Sequence, residues 1–132
     1  MRPPPAPLVF GPITRSDVVR YQGASGDFQP IHHDEPFARE AGYDAPLVVG
    51  MLPAGLLTTW ATDWLGPANV RRSRVRWTER VWPGDTLTCS GTVEREHVDD
   101  DGQPLVDLVL QAVNQDGAVV VQGWMTFVNP EG

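Results

Sequence analysis

The most regular hydrophobic pattern in the chain runs from Gly50 to Leu65. Apolar side chains recur there at spacings of three and four residues, which predicts a helix. The apolar stripe is wide, so we expect the helix to be buried over much of its circumference. The pair Gly66-Pro67 then ends it, because neither residue favours a continuing helix. The stripe consists of Leu52, Leu56, Leu57, Trp60, Ala61 and Trp64.

Two shorter helices are predicted before this segment. Thr14 is a suitable cap for a helix over residues 15–24, since its hydroxyl can accept a hydrogen bond from the first turn. Asp34 caps a second short helix, which Gly42 ends. Residues 25–33 lie between the two helices, show no period and contain glycine and proline, so they are predicted to form a loop.

Beyond residue 70 the period changes to two, which predicts strands. Turn-forming residues such as Pro83-Gly84-Asp85 separate the runs, and sequential strands joined by short turns predict an antiparallel meander. A sheet with one apolar face needs a cover, and the helix that begins at Gly50 is the candidate, so the predicted class is α+β. Leu8-Val9-Phe10 adds a short strand after a Pro-rich extended arm over residues 1–7. The alternating runs contain Val75 and Trp77, Leu87 and Cys89, Val106 to Leu110, and Val119 to Val128.

Length and composition predict a single folded domain over residues 1–132. Hydrophobic residues make up 41% of the chain and charged residues 20%, which are the values of globular proteins. The formal net charge is −7, which argues against a nucleic acid partner because phosphate binding needs a basic surface. The single cysteine, Cys89, excludes an internal disulfide. No secretory signal and no apolar run of membrane length is visible, so we expect a soluble cytoplasmic protein.

The loop over residues 25–33 carries the strongest candidate chemistry. It contains Asp27 and His32, and an aspartate and a histidine that face one atom can hold and activate a water molecule. The plainer alternative is that both residues are capping or surface groups. A metal site is not favoured, because the adjacent His32, His33 and Asp34 cannot all point to one ion.

Four arginines lie close together in the first run of the predicted sheet, in a chain whose ten basic residues are all arginines. The simpler interpretation is the solvated face of a strand. The alternative is a patch that binds the phosphates of a nucleotide-bearing acyl carrier, since arginine pairs well with phosphate oxygens. The four are Arg71, Arg72, Arg74 and Arg76.

Three segments together resemble the MaoC-like, (R)-specific enoyl-CoA hydratase/dehydratase family. Asp17 to Ala38 contains the run Ser-Gly-Asp-Phe-Gln-Pro-Ile-His, Ala45 to Leu57 resembles the family's second motif, and Val81 to Leu87 matches its strand-turn pattern. The resemblance implies the hotdog fold, in which a curved antiparallel sheet wraps around a long central helix. It also implies an oligomer, either a homodimer or a heteromer with a second MaoC-like chain.

The same resemblance implies roles for individual residues. Asp27 and His32 match the catalytic pair, which would add one water to a trans-2-enoyl-CoA to give a 3-hydroxyacyl-CoA, or catalyse the reverse dehydration. Gly50 matches the position whose backbone N–H polarises the thioester carbonyl, and a helix start suits that role. Thr58 matches a serine near the site, and Gln29 stands where the family commonly has asparagine. The implied substrate is an acyl-CoA, with no metal and no cofactor other than the coenzyme A of the substrate.

Two further features bear on partners and on alternatives. Val49 stands where the family usually has a histidine. His32-His33-Asp34 and Thr62 to Pro67 resemble the small subunit of actinobacterial steroid side-chain hydratases, which implies a heteromeric enzyme in which this chain needs a second MaoC-like chain. A hotdog thioesterase is a less favoured alternative, because Gly50 to Thr62 lacks the carboxylate that such enzymes place on or near the central helix. The acyl group, the carrier and the direction of the reaction are left open.

Overall fold

The computed structural model describes residues 1–132 as a five-stranded sheet that packs against one long helix, which confirms the predicted α+β class. The helices are α1 (Arg15–Ser25), α2 (Glu35–Glu40) and α3 (Met51–Leu65), with 3₁₀ turns at Pro30–His32 and Pro67–Asn69. The strands are β1 (Leu8–Phe10), β2 (Val70–Trp77), β3 (Leu87–Val98), β4 (Pro104–Val113) and β5 (Val119–Val128). None of the helices has both the length and the apolar character needed to cross a membrane.

Side-chain caps explain where the first two helices begin. The Thr14 hydroxyl accepts a hydrogen bond from the Asp17 N–H at 3.0 Å, and the Asp17 carboxylate accepts one from the Thr14 N–H at 2.8 Å. This reciprocal pair satisfies N–H groups that have no partner inside α1. At the start of α2 the Asp34 carboxylate accepts a hydrogen bond from the Phe37 N–H at 3.2 Å. Both predicted helix starts are therefore confirmed.

The predicted meander is correct for β3, β4 and β5 and wrong for β2. The strand order is β1-β3-β4-β5-β2, so β2 pairs with β5 and does not form a hairpin with β3. The reason lies in the Pro83-Gly84-Asp85 turn, which binds the chain that follows β1. The Gly84 N–H donates to the Ile13 carbonyl at 2.7 Å, and the Ile13 N–H donates to the Asp85 carbonyl at 2.9 Å. The segment after β2 therefore crosses from one edge of the sheet to the other.

The core lies between α3 and one face of the sheet. Leu57 and Ala61 of the predicted apolar stripe are fully buried, and Trp60 is almost so. Two strand glycines allow the helix to approach closely, because a Cβ at Gly91 would lie 3.0 Å from the Trp60 ring and one at Gly123 would lie 3.3 Å from Leu57. Burial of each large apolar side chain contributes roughly 1.5–3 kcal/mol to folding. The sheet contributes Leu87, Cys89, Val106, Leu108, Leu110 and Phe127 to this core.

The Pro-rich arm over residues 1–7 contains no helix or strand and is hydrogen-bonded to α3. The Ala6 carbonyl accepts a hydrogen bond from the Trp60 indole N–H at 3.0 Å. The Arg2 guanidinium donates to the Trp64 carbonyl at 2.9 Å. These two bonds fix the arm to the helix that forms the centre of the fold.

Strand β2 is exposed along most of its length. It is the last strand of the sheet and pairs only with β5, so its other edge is free. Only Val70 and Val75 are partly buried. The alternating pattern predicts Trp77 on the apolar side, but its side chain is 48% exposed. The unpaired N–H and C=O groups along this edge are available to another strand.

Candidate active site

His32 is held by one ring nitrogen, which leaves the other free. It lies in the 3₁₀ turn after the loop, half-buried, and its Nδ1 is 2.9 Å from the Leu47 carbonyl oxygen. A carbonyl can only accept, so Nδ1 carries the proton and Nε2 of the neutral ring carries a lone pair. His32 lines a cavity of about 390 Å³. His32 therefore offers a ring nitrogen that the protein itself does not use.

Gly50 lines the same cavity and has a free backbone N–H. It precedes α3, and neither its N–H nor that of Met51 donates to another backbone group. Free N–H groups at a helix start stabilise negative charge. On its other side, the Gly50 carbonyl accepts a hydrogen bond from the Trp77 indole N–H at 2.8 Å. Since both His32 and Gly50 line the cavity, it combines a base with a site for developing negative charge.

Asp27 lies in the loop after α1 and is half-buried, but it is not among the residues that line this cavity. Its carboxylate Oδ1 accepts a hydrogen bond from the Gln29 N–H at 3.2 Å, and its own N–H donates to the Ser25 hydroxyl at 3.3 Å. These local bonds give the loop a tight turn. The carboxylate keeps most of its acceptor capacity free for another partner.

The segment over residues 47–50 joins the loop to the cavity wall. The Leu47 N–H donates to the Ile31 carbonyl at 3.1 Å, while the Leu47 carbonyl contacts His32 as described. The next residue, Val48, donates its N–H to the Val81 carbonyl at 2.9 Å. Leu47, Val48 and Val81 form part of the apolar lining. Because these bonds link three parts of the chain, the positions of His32 and Gly50 depend on each other.

Two predicted supporting residues lie outside the cavity lining. The Thr58 hydroxyl donates to the Ala54 carbonyl on the preceding turn of α3 at 2.9 Å, which is a bond within the helix. The hydroxyl oxygen retains acceptor capacity. The Gln29 side chain is exposed, and its backbone carbonyl accepts hydrogen bonds from the Gln22 side chain on α1 and from the His32 N–H. The structure therefore does not bring Thr58 or Gln29 together with His32 and Gly50.

The four arginines of β2 are exposed and none of them lines the cavity of His32. Arg71 donates to the carbonyls of Ala68 and Val70, and the Arg74 guanidinium lies 4.6 Å from the centre of the Trp124 ring. The arginine at the cavity is Arg80, which the sequence interpretation missed.

Arg80 is oriented by an aromatic residue. Its guanidinium lies 5.0 Å from the centre of the Tyr43 ring, and it donates to the Tyr43 hydroxyl at 3.1 Å. Stacking on an aromatic ring leaves the other guanidinium N–H groups free for a ligand. No sequence signal marks it, because the segment Trp77-Thr78-Glu79-Arg80-Val81 comes to line the cavity only in the folded chain.

Gln22 is the second contributor that the sequence interpretation missed. It lies on α1, is 2% exposed, and donates through Nε2 to the Asp27 carbonyl at 2.9 Å and to the Gln29 carbonyl at 3.2 Å. Its position four residues after the buried Val18 is the available signal, because residues at that spacing share one side of a helix. The loop that carries Asp27 is therefore attached to α1 by a buried side chain.

A comparison with known sequences gives a consistent result. A family model described as a MaoC like domain matches residues 9–114. The (R)-specific enoyl-CoA hydratase of Aeromonas caviae is 29% identical over 110 residues, which cover 82% of this chain and 80% of that protein. Several other curated relatives are much longer, and the chain spans 38% of the length of one and 8% of another.

Two solved structures share the architecture. An (R)-hydratase from A. caviae involved in PHA biosynthesis superposes with a TM-score of 0.80 at 27% identity, over 95% of this chain and 93% of that one. A chain of the ChsH1-ChsH2 complex from Mycobacterium tuberculosis superposes with a TM-score of 0.77 at 26% identity, over 93% and 92%. These values confirm the predicted hotdog fold.

Proposed function

This chain belongs to the MaoC-like family, and from that premise we propose that it is an (R)-specific enoyl-CoA hydratase that also catalyses the reverse dehydration. The observation that supports the proposal most is that His32 and Gly50 line one cavity. His32 offers a nitrogen lone pair and Gly50 offers a free N–H. Addition of water to an enoyl thioester needs a base for the water and a hydrogen-bond donor for the thioester oxygen.

In the proposed reaction, Nε2 of His32 takes a proton from water while the water oxygen forms a bond to C3 of the enoyl group. The electrons of the C2–C3 double bond move to the thioester oxygen, where the Gly50 N–H stabilises the negative charge. The proton taken from water is returned to C2, which gives the 3-hydroxyacyl thioester. Asp27 holds the same water through the acceptor capacity that its carboxylate keeps beyond the bond from the Gln29 N–H. The reaction adds the elements of water and changes no oxidation state overall, so it needs no redox partner.

The proposal is tested by adding purified protein to trans-2-enoyl-CoA substrates of increasing chain length and following the loss of enoyl absorbance. We expect hydration, and we expect an (R)-specific 3-hydroxyacyl-CoA dehydrogenase, but not an (S)-specific one, to oxidise the product. We also expect EDTA to leave the rate unchanged, because the proposed chemistry uses no cofactor besides the coenzyme A of the substrate. An (S) product, or no hydration with or without a partner chain, would overturn the proposal.

We further propose that a second MaoC-like chain, identical or different, completes the enzyme. Phe28, Met51 and Trp77 are 65%, 51% and 48% exposed. Phe28 follows Asp27, Met51 follows Gly50, and Trp77 donates to Gly50, so each apolar side chain adjoins a site residue. Trp77 is also the last residue of β2, whose outer edge is free. A partner that covers these side chains would also exclude water from the site.

Light scattering during size-exclusion chromatography separates the two versions. A dimer that is active alone supports the homodimer. A protein that is inactive alone and active after co-expression with a neighbouring MaoC-like chain supports the heteromer. The ChsH1-ChsH2 neighbour is itself a complex of two different chains, which favours testing both. A monomer that is fully active would contradict the proposal of a partner. A cytoplasmic location stays a prediction.

The binding of coenzyme A phosphates to Arg71, Arg72, Arg74 and Arg76 remains a proposal, and Arg80 is the alternative that lines the cavity. The two are separated by comparing enoyl-CoA with an enoyl-pantetheine substrate that lacks the nucleotide. Replacing a phosphate-binding arginine by glutamine raises KM for enoyl-CoA but not for enoyl-pantetheine. The group whose substitution has this selective effect binds the phosphates.

A thioesterase is the second candidate that the fold permits. Helix α3 has no carboxylate between Met51 and Thr62, and Asp63 near its end is exposed. This composition gives no support to a carboxylate-dependent hydrolysis. Release of free thiol from a saturated acyl-CoA at a rate comparable with hydration would favour the thioesterase instead.

A further inference from the structure

Helix α1 contains a buried amide that no hydrophobic pattern requires. Gln22 is 2% exposed, and the only other buried polar or charged side chains in the chain are those of Asp85 and Asn129. Burial of an amide is unfavourable unless its hydrogen bonds are made. The partners of Gln22 therefore indicate what its burial serves.

All three of its hydrogen bonds connect to the loop that carries Asp27. Nε2 donates to the Asp27 carbonyl at 2.9 Å and to the Gln29 carbonyl at 3.2 Å, and Oε1 accepts from His33 Nδ1 at 3.1 Å. Only the NH₂ group can satisfy two carbonyls, so the amide has one orientation that makes all three bonds. The bonds to the two carbonyls lie on either side of the turn that the Asp27 carboxylate makes with the Gln29 N–H.

The adjacent histidines hold the other end of this loop from two sides. His32 Nδ1 contacts the Leu47 carbonyl, before α3, while His33 Nδ1 contacts Gln22, on α1. The two rings therefore fix consecutive residues to different parts of the fold. A loop without regular secondary structure gains a defined position in this way, with Gln22 as the group that connects its beginning and its end.

We propose that Gln22 is a positioning residue for Asp27 and His32, with His33 as the group that fixes its amide. This inference rests on the proposed hydratase function. Gln22 does not touch the reacting atoms. It sets the direction in which the Asp27 carboxylate leaves the loop, and catalytic geometry of this kind determines kcat more than substrate affinity.

The main test compares Gln22→Met, which keeps the size of the side chain and removes its hydrogen bonds, with the wild type. We expect kcat to fall at least about tenfold while KM changes less than about twofold. Asn129→Leu is the matched control, since it removes the other buried amide at a distance from the loop. It should lower the melting temperature by a similar amount with kcat unchanged. If kcat of Gln22→Met stays within about twofold of the wild type, or falls only with the folded fraction, the proposal is wrong.

A second pair of variants keeps the proposal testable if Gln22→Met does not fold. His33 is exposed, so His33→Leu and His33→Asn should both fold. We expect His33→Leu to lower kcat and His33→Asn, whose amide can still donate to Gln22, to restore most of it. Equal effects of the two substitutions would show that the hydrogen bond to Gln22 is irrelevant.

Hydrogen exchange separates this inference from the proposed function. In Gln22→Met the amides of residues 27–33 should exchange faster while those of β3, β4 and β5 stay unchanged. If the wild type shows no hydratase activity, yet Gln22→Met shows this loop-specific change in exchange, the proposed function is rejected and the loop-holding role of Gln22 is retained. Unchanged exchange in the loop would reject the positioning role whatever the activity.

Discussion

The chain contains two Asp–His pairs, one in the loop and one on the sheet, and they differ in what their polar atoms contact. On the sheet, the Asp107 carboxylate accepts hydrogen bonds from Arg95 Nε and from the Thr126 hydroxyl, both at 2.6 Å. His97 Nε2 lies 3.0 Å from the same carboxylate. The acceptor atoms of Asp107 are thus surrounded by donors from two neighbouring strands.

The pair in the loop is arranged in the opposite way. Asp27 accepts one hydrogen bond, from the backbone N–H of Gln29, and His32 uses only Nδ1. The carboxylate and Nε2 keep their capacity to bind another molecule. Residue type alone does not distinguish the two pairs, and their free hydrogen-bonding capacity does.

The pKa of Asp107 shows how strongly its neighbours stabilise the charged carboxylate. Burial raises the pKa of the carboxyl group, but the neighbouring Thr126, Arg95 and His97 outweigh it and lower the pKa from 3.8 to about 2. A carboxylate fixed in this way is a structural group. The comparison therefore assigns a structural role to the sheet pair, while the chemistry proposed for the loop pair stays a prediction.

The largest expected effect on kcat comes from making the same two substitutions, Asp→Asn and His→Gln, in each pair. Asp27→Asn and His32→Gln should lower kcat for enoyl-CoA hydration roughly 100- to 10,000-fold, because each removes a group that binds or activates the water. Asp107→Asn and His97→Gln are the matched controls and should keep kcat within about twofold when folded. Equal activity of all four variants would remove the functional difference between the pairs.

Alanine substitutions of two glycines near the start of α3, Gly50 and Gly55, test the surroundings of the loop pair. Gly50→Ala adds a Cβ 3.1 Å from Trp77 Nε1, so the indole must move and its bond to the Gly50 carbonyl is disturbed. We expect kcat to fall about tenfold, which corresponds to about 1.4 kcal/mol. Gly55→Ala is the control, because nothing lies within 4 Å of its Cβ, and it should stabilise α3 by up to about 1 kcal/mol. Similar kinetics in both variants would contradict a role for the Gly50 turn.

The stability side of the comparison is tested by urea unfolding. Asp107→Asn should lower the free energy of unfolding by about 1–3 kcal/mol, since it weakens charge-assisted hydrogen bonds and leaves donors poorly matched. Asp27→Asn should change the same quantity by less than about 0.5 kcal/mol, because the Asp27 side chain makes one local hydrogen bond whose acceptor oxygen asparagine retains. A larger loss in Asp27→Asn than in Asp107→Asn would reverse the comparison.

The smallest expected effect is the response to acid. The pKa of Asp107 is lower in the folded protein than in the unfolded chain, so its contribution to stability is fully present above about pH 3.8. That contribution is lost as the pH falls through the folded pKa of about 2. Asp107→Asn should therefore show a flatter decline of melting temperature between these pH values. Parallel declines in the wild type and the variant would show that Asp107 does not contribute.

Local features of the fold could be predicted from the sequence, and long-range pairing could not. The capping bonds of Thr14 and Asp17 involve residues three apart, so the sequence contains the whole interaction. Alternation identifies β2 as a strand, but it carries no information on which strand lies next to it. The position of β2 follows from bonds between Ile13 and the turn at Gly84, which are far apart in the chain.

The same limit applies to the site. Asp27, His32 and Gly50 were recognisable because their roles follow from a short motif and a helix start, although those roles are still predictions. Arg80 and Gln22 were missed because their importance arises from contacts with Tyr43 and with loop carbonyls that only the folded chain brings together. Composition drew attention to the arginines of β2, which lie outside the cavity.

The free edge of β2 has a consequence for handling the protein. An unpaired strand edge invites indiscriminate association with other chains, and natural proteins commonly place charges there to prevent it. The exposed arginines at positions 71, 72, 74 and 76 lie along this strand. Like charges on two such strands repel each other unless a partner supplies compensating acidic groups. Neutral substitutions in this row should therefore reduce solubility.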